Sequence, residues 1–415
     1  MENKGNCIIA QSGGPTSVIN SSLAGVMTKA FASDKVGTVY GAINGIQGLM
    51  KEKFLDLSAT FKDNETAINT LKLSPAMYLG SCRYKLPADF ENSDDFTKIF
   101  EIFKKYDIRY FFYIGGNDSM DTVAKLSIYA KNINYDISIM GVPKTIDNDL
   151  ACIDHTPGFG SAAKYIATSM LEVAHDTYIY DMQSVLIVEI MGRNAGWLTA
   201  SAALARNSYS QAPHLIYLPE VAFSQEQFID DINELLKTRK QVIIAVSEGI
   251  RTADGKYISA QSEQVDQFGH VMLNGTGKYL ERLVADKIGC KVRSIELNVL
   301  QRSAAHIASL TDTDEAFRLG EYAADAAFEG KTGEMSIVTR VSNEPYEVNY
   351  STASIHDIAN VEKKIPKEWI NDKGNDITSE LIEYLKPLIE GEPKKEYNNG
   401  IPYYLPVGHL SGSNN

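Results

Sequence analysis

The feature that most constrains the fold is an arrangement that occurs four times along the chain. A short apolar run is followed by a loop of small and polar residues, and in three cases by a segment with helical spacing of apolar residues. This alternation is typical of the strand, loop and helix order of a parallel-sheet α/β protein. The apolar runs span residues 7–10, 110–114, 185–190 and 242–246. Because ligands bind beyond the carboxyl ends of parallel strands, we expect the four loops to contribute to one site.

The composition is that of an ordinary globular protein. The chain has 415 residues, 44% hydrophobic and 22% charged, which is enough to bury a core in each of two or three domains. A net charge of -13 argues against nucleic acid or a membrane surface as a partner. The sequence shows no signal-peptide pattern and no run of the roughly 20 apolar residues that a membrane span requires. Four widely separated cysteines indicate a reduced, cytoplasmic protein.

Two of the loops have the composition of phosphate sites. Gly13 and Gly14 follow the first apolar run, where small residues let backbone N–H groups approach a phosphate at a helix N-terminus. The alternative is a tight turn without a ligand. After the second run, a pair of glycines is followed by Asn117, Asp118 and Ser119, whose oxygens would hold magnesium through water. The alternative is a helix cap, although capping needs only one of the three.

The segment 141–149 carries the most chemistry of any loop. Asp147 and Asp149 are two residues apart in an extended loop, so one can accept a proton while the other supports metal or geometry. Lys144 adds a positive charge within reach of a phosphoryl group. A solvated polar turn is the alternative, because turns favour Asn and Asp.

Four further charged residues lie at or near candidate loops. Arg193 follows an apolar strand and presents a fork that matches phosphate oxygens, and Glu248 follows another such strand and can bind sugar hydroxyls. Arg83 and Arg302 are two additional cations. Each of these residues would alternatively belong to a structural ion pair.

In this order, the segments resemble the phosphofructokinase family, whose members transfer a phosphoryl group to the 1-hydroxyl of fructose 6-phosphate. The resemblance extends from about residue 7 to residue 302. It rests on Pro-Lys-Thr-Ile-Asp-Asn-Asp at 143–149 together with Met-Gly-Arg at 191–193. We therefore expect an α/β protein with two Rossmann-like parallel-sheet domains, the active site in the cleft between them, and a peripheral C-terminal extension.

The resemblance implies a role for each motif residue. Asp147 is the expected general base that takes the proton from the attacking hydroxyl. Arg302 and His306 are expected at the 6-phosphate end of the sugar. The residues expected to line the sugar are Thr145, Ile146, Asp147, Met191, Gly192, Arg193 and Glu248. The residues expected to bind the donor phosphates are Gly13, Gly14, Arg83 and Ser119.

Two positions indicate which donor is used. ATP-dependent members of the family usually have glycine where this chain has Asp118 and Lys144. The carboxylate of Asp118 would lie in the path of the α-phosphate of ATP, whereas pyrophosphate ends before reaching it. Lys144 would supply charge to the transferring phosphoryl group. We therefore expect pyrophosphate as the donor, with Asp118 and Lys144 acting beside Asp147.

The chain departs from the family pattern at the metal and at a subunit contact. Asn117 stands where the family has a magnesium-binding aspartate, so Mg²⁺ is expected to be held by the amide oxygen of Asn117, by waters and by substrate phosphates. Ser184 stands where many ATP-dependent relatives have an arginine that reaches into a neighbouring subunit. A homodimer or homotetramer is expected, with its site sharing left open.

The expected division of the chain follows the same resemblance. Residues 1–155, completed by about 310–342, form the donor-binding domain, residues 156–309 the fructose 6-phosphate domain, and residues 343–415 the peripheral extension with little chemistry. Two other functions remain open from the sequence. One is an ATP-dependent phosphofructokinase that tolerates Asp118, and the other is a non-catalytic sugar-phosphate sensor, which would not require the base Asp147.

Overall fold

The computed structural model describes residues 4–90, 93–258 and 275–408. In chain order, the strands are β1 (Gly5–Gln11), β2 (Val36–Ala42), β3 (Phe54–Asp56), β4 (Ile108–Gly115), β5 (Ser138–Pro143), β6 (Ser184–Ile190), β7 (Leu215–Tyr217), β8 (Gln241–Ser247), β9 (Lys291–Glu296), β10 (Glu334–Asn343), β11 (Tyr346–Ser354), β12 (Tyr397–Asn398) and β13 (Ile401–Pro402). The α-helices are α1 (Ile19–Ala32), α2 (Gly45–Met50), α3 (Leu57–Phe61), α4 (Glu65–Lys72), α5 (Asp94–Lys105), α6 (Asn117–Asn132), α7 (Phe159–Tyr178), α8 (Trp197–Ser201), α9 (Gln225–Leu236), α10 (Thr276–Ile288), α11 (Leu300–Ser303), α12 (Leu310–Phe328) and α13 (Ser379–Leu385).

Two separate sheets organise the molecule. The larger sheet has the order β11-β10-β5-β4-β1-β2-β3 and is parallel except at its edge strands β3 and β11. The smaller sheet has the order β7-β8-β6-β9 and is parallel throughout. The four predicted apolar runs lie within β1, β4, β6 and β8, so the predicted α/β class with parallel-sheet units is confirmed. The strand order reverses at β1 and at β6, which opens a crevice beyond the carboxyl ends of each sheet.

Amphipathic helices cover the sheets, and α5 shows how the sequence specifies one. The side chain of Ser93 accepts a hydrogen bond from the backbone N–H of Asp95 and caps the helix. Acidic residues occupy the first turn and lysines the last, which matches the helix dipole. The apolar side chains recur at helical spacing and are buried, namely Phe96, Ile99, Phe100, Ile102 and Phe103.

Two glycines allow α1 and α12 to cross in close contact below the larger sheet. A Cβ atom on Gly25 would lie 2.0 Å from the carbonyl oxygen of Phe317. A Cβ atom on Gly320 would lie 2.2 Å from the carbonyl oxygen of Ser22. Both distances are far below van der Waals contact, so only glycine fits at these two points of the crossing.

The segment after residue 342 is integrated into both parts of the molecule. Strand β11 pairs along its length with β10 at the edge of the larger sheet. Helix α13 buries Leu381 and Leu385 in the apolar cluster that also contains Trp197 and Ile190, beside the smaller sheet. The hydroxyl of Tyr384 donates a hydrogen bond to the carbonyl oxygen of Asp154. The segment therefore contacts both sheets and is not merely peripheral.

Among the described residues, none of the helices has the length and apolar character that crossing a membrane would require.

Candidate active site

A cleft of about 640 Å³ lies where the carboxyl ends of the two sheets face each other. The register of the larger sheet brings its loops together, because Gln11 of β1 lies opposite Ile114 of β4, and Gly115 opposite Pro143 of β5. The loops after β6 and β8 of the smaller sheet form the facing wall. The predicted residues that line the cleft are Gly13, Gly14, Arg83, Asn117, Asp118, Ser119, Lys144, Thr145, Ile146, Asp147, Met191, Arg193, Glu248 and Arg302.

Gly13 and Gly14, which follow β1, have no Cβ atoms. The space that Cβ atoms would occupy lies next to the charged ends of two cationic side chains. Gly13 has a φ of 81°, a conformation that favours glycine. A Cβ atom on Gly13 would lie 3.2 Å from Nζ of Lys144, and a Cβ atom on Gly14 would lie 3.3 Å from Nη1 of Arg302. Two positive side chains therefore approach this backbone closely, as a site for phosphate oxygens requires.

Lys144 is buried at the floor of the cleft. Its Nζ donates a hydrogen bond of 2.6 Å to the carbonyl oxygen of Gly14. Burial lowers the pKa of Lys144 to about 8, Asp147 opposes this change, and Arg302 lowers the pKa further. The lysine is thus a cation with little hydration of its own, available to an anionic ligand.

Several carboxylates face these cations. Burial raises the pKa of Asp147, while Lys144, Arg193 and Arg302 act in the opposite direction. Burial, together with the neighbouring Asp147, raises the pKa of Asp149 to about 7. The pKa of Glu248 is also raised to about 7, by burial and then by Asp147. A base whose pKa lies above the ordinary aspartate value accepts a proton more readily near neutral pH.

The loop that carries Asp147 is held by its neighbours. Asn148 adopts a φ of 53°, a left-handed conformation that asparagine tolerates. Its side chain donates to the hydroxyl of Tyr384 (3.0 Å) and accepts from the backbone N–H of Thr156 (3.0 Å). The hydroxyl of Thr145 accepts from the backbone N–H of Asp147 at 3.1 Å. These bonds fix the direction of the Asp147 side chain.

Gly192 shapes the opposite loop without lining the cleft. Its φ is 134°, and a Cβ atom there would lie 2.6 Å from the carbonyl oxygen of Ala195. The hydroxyl of Ser247 donates to the carbonyl oxygen of Gly192 at 2.6 Å, which ties the loops after β6 and β8 together. Gly192 is not among the residues that line the cleft, and the predicted sugar contact at this position stays a prediction.

The guanidinium groups of Arg193 and Arg302 are available to a ligand. The Nε atom of each is buried and has no hydrogen-bond partner within the described ranges. A buried donor without a partner carries a free-energy cost that an anionic oxygen would remove. Both arginines therefore fit the predicted binding of phosphate or sugar oxygens.

His306 is the predicted site residue that the structure does not bring to the others. It lies beyond α11 on an exposed turn, and its ring centroid is 6.3 Å from that of Tyr165. It is not among the residues that line the cleft of this chain. Arg302 of α11 lines the cleft, whereas His306 lies in the short 3-10 helix Ala305–Ile307 that follows.

The first turn of α6 holds the three polar residues that follow the second glycine pair. The helix begins at Asn117, and its N-cap position is Gly116, which has no side chain to cap it. The oxygen Oδ1 of Asn117 is buried and has no hydrogen-bond partner in the described part of the chain. Asp118 lies 3.8 Å from Nζ of Lys85 at the mouth of the cleft. Capping by these side chains is therefore not their role.

Some residues that line the cleft lay outside the sequence-based predictions. Lys85 is close to the predicted Arg83, and Asn194 directly follows Arg193. Asn360 and Glu362 come from the segment after residue 342, in which no motif marked them. Their position depends on how a distant part of the chain packs, and a sequence pattern carries no signal for that.

The chain is similar to known proteins over most of its length. Residues 6–327 match the family model described as Phosphofructokinase. A pyrophosphate–fructose 6-phosphate 1-phosphotransferase of Halomonas elongata is 40% identical over 96% of this chain and 94% of its own length. The protein of the same name from Methylococcus capsulatus is 40% identical over 98% and 96%. The crystal structure of a pyrophosphate-dependent phosphofructokinase from Nitrosospira multiformis superposes with a TM-score of 0.88 at 37% identity, covering 97% of this chain and 96% of that one.

Proposed function

The chain belongs to the phosphofructokinase family, and from this premise we propose that it is a pyrophosphate-dependent 6-phosphofructokinase. It transfers a phosphoryl group reversibly from pyrophosphate to the 1-hydroxyl of D-fructose 6-phosphate, giving fructose 1,6-bisphosphate and phosphate. The observation that carries the choice of donor is the joint presence of Asp118 and Lys144 in the cleft. Relatives that share 40% identity over nearly their whole length carry the same activity in their names.

The reaction follows from the arrangement of the side chains. Asp147 takes the proton from the 1-hydroxyl as that oxygen forms a bond to the transferred phosphorus, and the bond to the bridging oxygen of pyrophosphate breaks. Inorganic phosphate leaves with the bridging oxygen. Lys144, on the carbonyl oxygen of Gly14, lies where it can neutralise charge that develops on the phosphoryl oxygens. Arg193 and Arg302 bind the sugar phosphate through their unpartnered guanidinium groups.

Magnesium fits the donor end of the cleft. The unpartnered Oδ1 of Asn117 is a neutral oxygen ligand of the type that a hard cation accepts. In the described residues, three or more His, Cys, Asp or Glu side chains do not converge into a metal-holding group. Bound Mg²⁺ would therefore depend on Asn117, waters and the phosphates themselves, and it would neutralise charge on the donor.

The division into domains and the assembly complete the proposal. We assign residues 1–155, with about 310–342, to donor binding and residues 156–309 to sugar binding. Among the described residues, strand β9 has a neighbouring strand on one side only, and this edge with its apolar side chains supports a homodimer or homotetramer. Ile179 and Met182 at this edge are 72% and 44% exposed. Glycolysis in the cytoplasm is the setting that fits this activity.

A donor assay tests the function directly. Fructose 6-phosphate is incubated with pyrophosphate or with ATP, each with and without Mg²⁺, and fructose 1,6-bisphosphate is measured. We expect product with pyrophosphate and Mg²⁺, and little with ATP. Efficient use of ATP would instead identify an ATP-dependent phosphofructokinase, and binding of the sugar without turnover would identify a sensor.

A further inference from the structure

Residues 360–363, called the strap below, cross one wall of the cleft. At one end, Nδ2 of Asn360 donates a hydrogen bond of 3.1 Å to Oδ1 of Asp121 on α6. At the other end, the backbone N–H of Lys363 donates to the carbonyl oxygen of Asp149 at 2.7 Å. The strap is thus bonded both to the helix that begins at the donor loop and to the loop that carries the base.

The strap is also bonded to the facing wall. Nε1 of Trp197, on α8, donates to the carbonyl oxygen of Lys363 at 3.1 Å. The carboxylate of Glu362 accepts a hydrogen bond of 2.8 Å from Nδ2 of Asn194. Oδ1 of the same amide accepts a hydrogen bond from Arg251, in the loop after β8. A relay of arginine, amide and carboxylate therefore connects the loops after β8 and β6 to the strap.

These hydrogen bonds hold the side chain of Asn194, which directly follows Arg193 in the sequence. Because Nε of Arg193 makes no hydrogen bond within the described ranges, the direction of its guanidinium depends on the backbone that carries it. The side chain of Asn194 is held on both sides, by Arg251 and by Glu362. Fixing Asn194 thereby fixes the backbone on which Arg193 enters the cleft.

Glu362 also adds negative charge near the base. Glu362 raises the pKa of Asp147, but its effect is smaller than that of burial and is opposed by three cations. Glu362 also raises the pKa of Asp149, where burial and Asp147 have larger effects. The charged groups that face these two aspartates are Lys144, Arg193, Glu248, Arg302, Glu362 and Lys363, and the aspartates also face each other. The effect of Glu362 is screened by solvent, since its side chain is exposed to the open cleft.

We propose that Glu362 is a positioning residue for phosphoryl transfer, which holds the Arg193 loop against the Asp147 loop through its hydrogen bond to Asn194. The inference rests on the proposed function. Glu362 does not have to touch the reacting atoms for this role. Its carboxylate supplies two separable properties, an acceptor for Asn194 and a negative charge beside the base.

Two substitutions separate these properties. Glu362→Gln keeps an oxygen acceptor for Asn194 and removes the charge, whereas Glu362→Ala removes both. We expect Glu362→Ala to lower kcat/KM for fructose 6-phosphate by about 10- to 100-fold, because small misplacements of binding groups are costly. Glu362→Gln should retain most of the wild-type kcat/KM. Glu368→Gln, on an exposed turn of the same segment and away from the cleft, is the matched control.

The pH profile distinguishes positioning from general structural support. Removing the negative charge in Glu362→Gln lowers the pKa of Asp147, so the acidic limb of kcat/KM should move to lower pH, and the movement should shrink at high salt. The profile of Glu368→Gln should match that of the wild type. Circular dichroism and thermal unfolding establish that each variant is folded.

Defined results overturn the inference. Glu362→Ala with kcat/KM within twofold of wild type, or Glu362→Gln as impaired as Glu362→Ala, contradicts the role of the acceptor. If the wild type shows no transfer from pyrophosphate, the proposed function fails by itself. In that case, calorimetry measures the Kd of the same variants for fructose 6-phosphate. The inference requires a higher Kd for Glu362→Ala than for Glu362→Gln, and equal values would contradict it.

Discussion

At the scale of single residues, opposing influences on the pKa of Asp147 determine whether this side chain can act as a base. Burial raises the pKa, whereas Lys144, Arg193 and Arg302 lower it. The cations keep the carboxylate available as a base, and burial keeps it basic enough to accept a proton. The same three cations are proposed to bind phosphate oxygens, and in that case occupation of the cleft would neutralise them and increase the basicity of Asp147.

Asp147→Asn tests the base. The substitution preserves the size of the side chain and removes the proton acceptor, so kcat should fall by at least about 100-fold. The KM for fructose 6-phosphate should change much less, since the sugar contacts remain. Steady-state kinetics with pyrophosphate measure both constants, and a variant with nearly full kcat would refute the assignment.

Asn117→Asp tests the metal position. An added anionic oxygen strengthens the binding of a hard cation, so half-maximal activity should be reached at a lower Mg²⁺ concentration than in the wild type. Activity of the wild type should vanish in excess chelator. A titration of Mg²⁺ at fixed pyrophosphate measures the difference, and chelator-resistant activity would exclude a metal role for this turn of α6.

We expect the preference for pyrophosphate over ATP to depend on Asp118 and Lys144 together. Asp118→Gly opens space and removes a like charge, so ATP should bind measurably, and adding Lys144→Gly should favour ATP further. Activity with pyrophosphate should fall in the double variant, through loss of a cation directed at the transition state. Because both residues act on one donor, we expect non-additivity of about 0.5–3 kcal/mol.

The measurement is kcat/KM for both donors in the wild type, each single variant and the double variant. A wild type that already prefers ATP, or a donor ratio that neither substitution changes, would contradict the assignment of pyrophosphate while leaving the family intact.

At the scale of elements, the crossing of α1 and α12 supports the larger sheet from below. Gly25 and Gly320 allow backbone to touch backbone there. Helix α12 also bonds to the start of α7, because the carboxylate of Asp312 accepts hydrogen bonds of 2.8 Å from the backbone N–H groups of Gly158 and Ser161. The residue before Gly158, Pro157, in turn accepts a hydrogen bond of 3.2 Å from the backbone N–H of Thr145 in the base loop. The crossing thus bears on the geometry of the cleft as well as on stability.

Gly320→Ala should destabilise the protein despite the better helix propensity of alanine. The new Cβ atom would lie 2.2 Å from the backbone oxygen of Ser22, which cannot rotate away. Overpacking of this kind costs about 1–3 kcal/mol. Denaturant unfolding measures the change, with Arg318→Ala on the exposed face of α12 as the control. Unchanged stability would show that the two helices separate at little cost.

Local patterns predicted the strands and the loops at their ends, but not the contacts of distant segments. The runs within β1, β4, β6 and β8 were recognisable because buried parallel strands are continuously apolar. The start of α6 at Asn117 was not recognisable, since its polar first turn has no apolar period. Glu362 was not recognisable either, because its place in the cleft results from packing across the whole molecule.

At the scale of the whole molecule, the cleft is less negative than the rest of a chain of net charge -13. Five cationic side chains line it, namely Arg83, Lys85, Lys144, Arg193 and Arg302, and five carboxylates, namely Asp118, Asp147, Asp149, Glu248 and Glu362, line it as well. The cations that surround a bound phosphate attract it locally, against the repulsion that the rest of the surface exerts on an anionic substrate. Association with pyrophosphate should therefore weaken as ionic strength increases.

The titratable groups of the cleft predict a bell-shaped dependence of kcat/KM on pH. Asp147 must be ionised to act as the base, and burial raises its pKa, so the rate should fall as the pH decreases. Protonation of Asp149 and Glu248, each with a pKa of about 7, changes the charge of the cleft over the same range. Lys144 must be protonated, and with a pKa of about 8 the rate should fall as the pH increases above it. A pH series with pyrophosphate measures both limbs, and Lys144→Arg should move the alkaline limb upwards.

The strap has a consequence for synthesis of the protein. Chains emerge from the ribosome amino end first, at about 5–20 residues per second, and domains fold as they emerge. Strands β1 to β9, and the loops that carry Asp147 and Arg193, therefore emerge from the ribosome before residues 360–363 are synthesised. One wall of the cleft is added last. A nascent or prematurely terminated chain would contain nearly every proposed catalytic side chain but would lack one wall of the cleft. Its kcat would be low, so full activity would indicate that translation of the chain is complete.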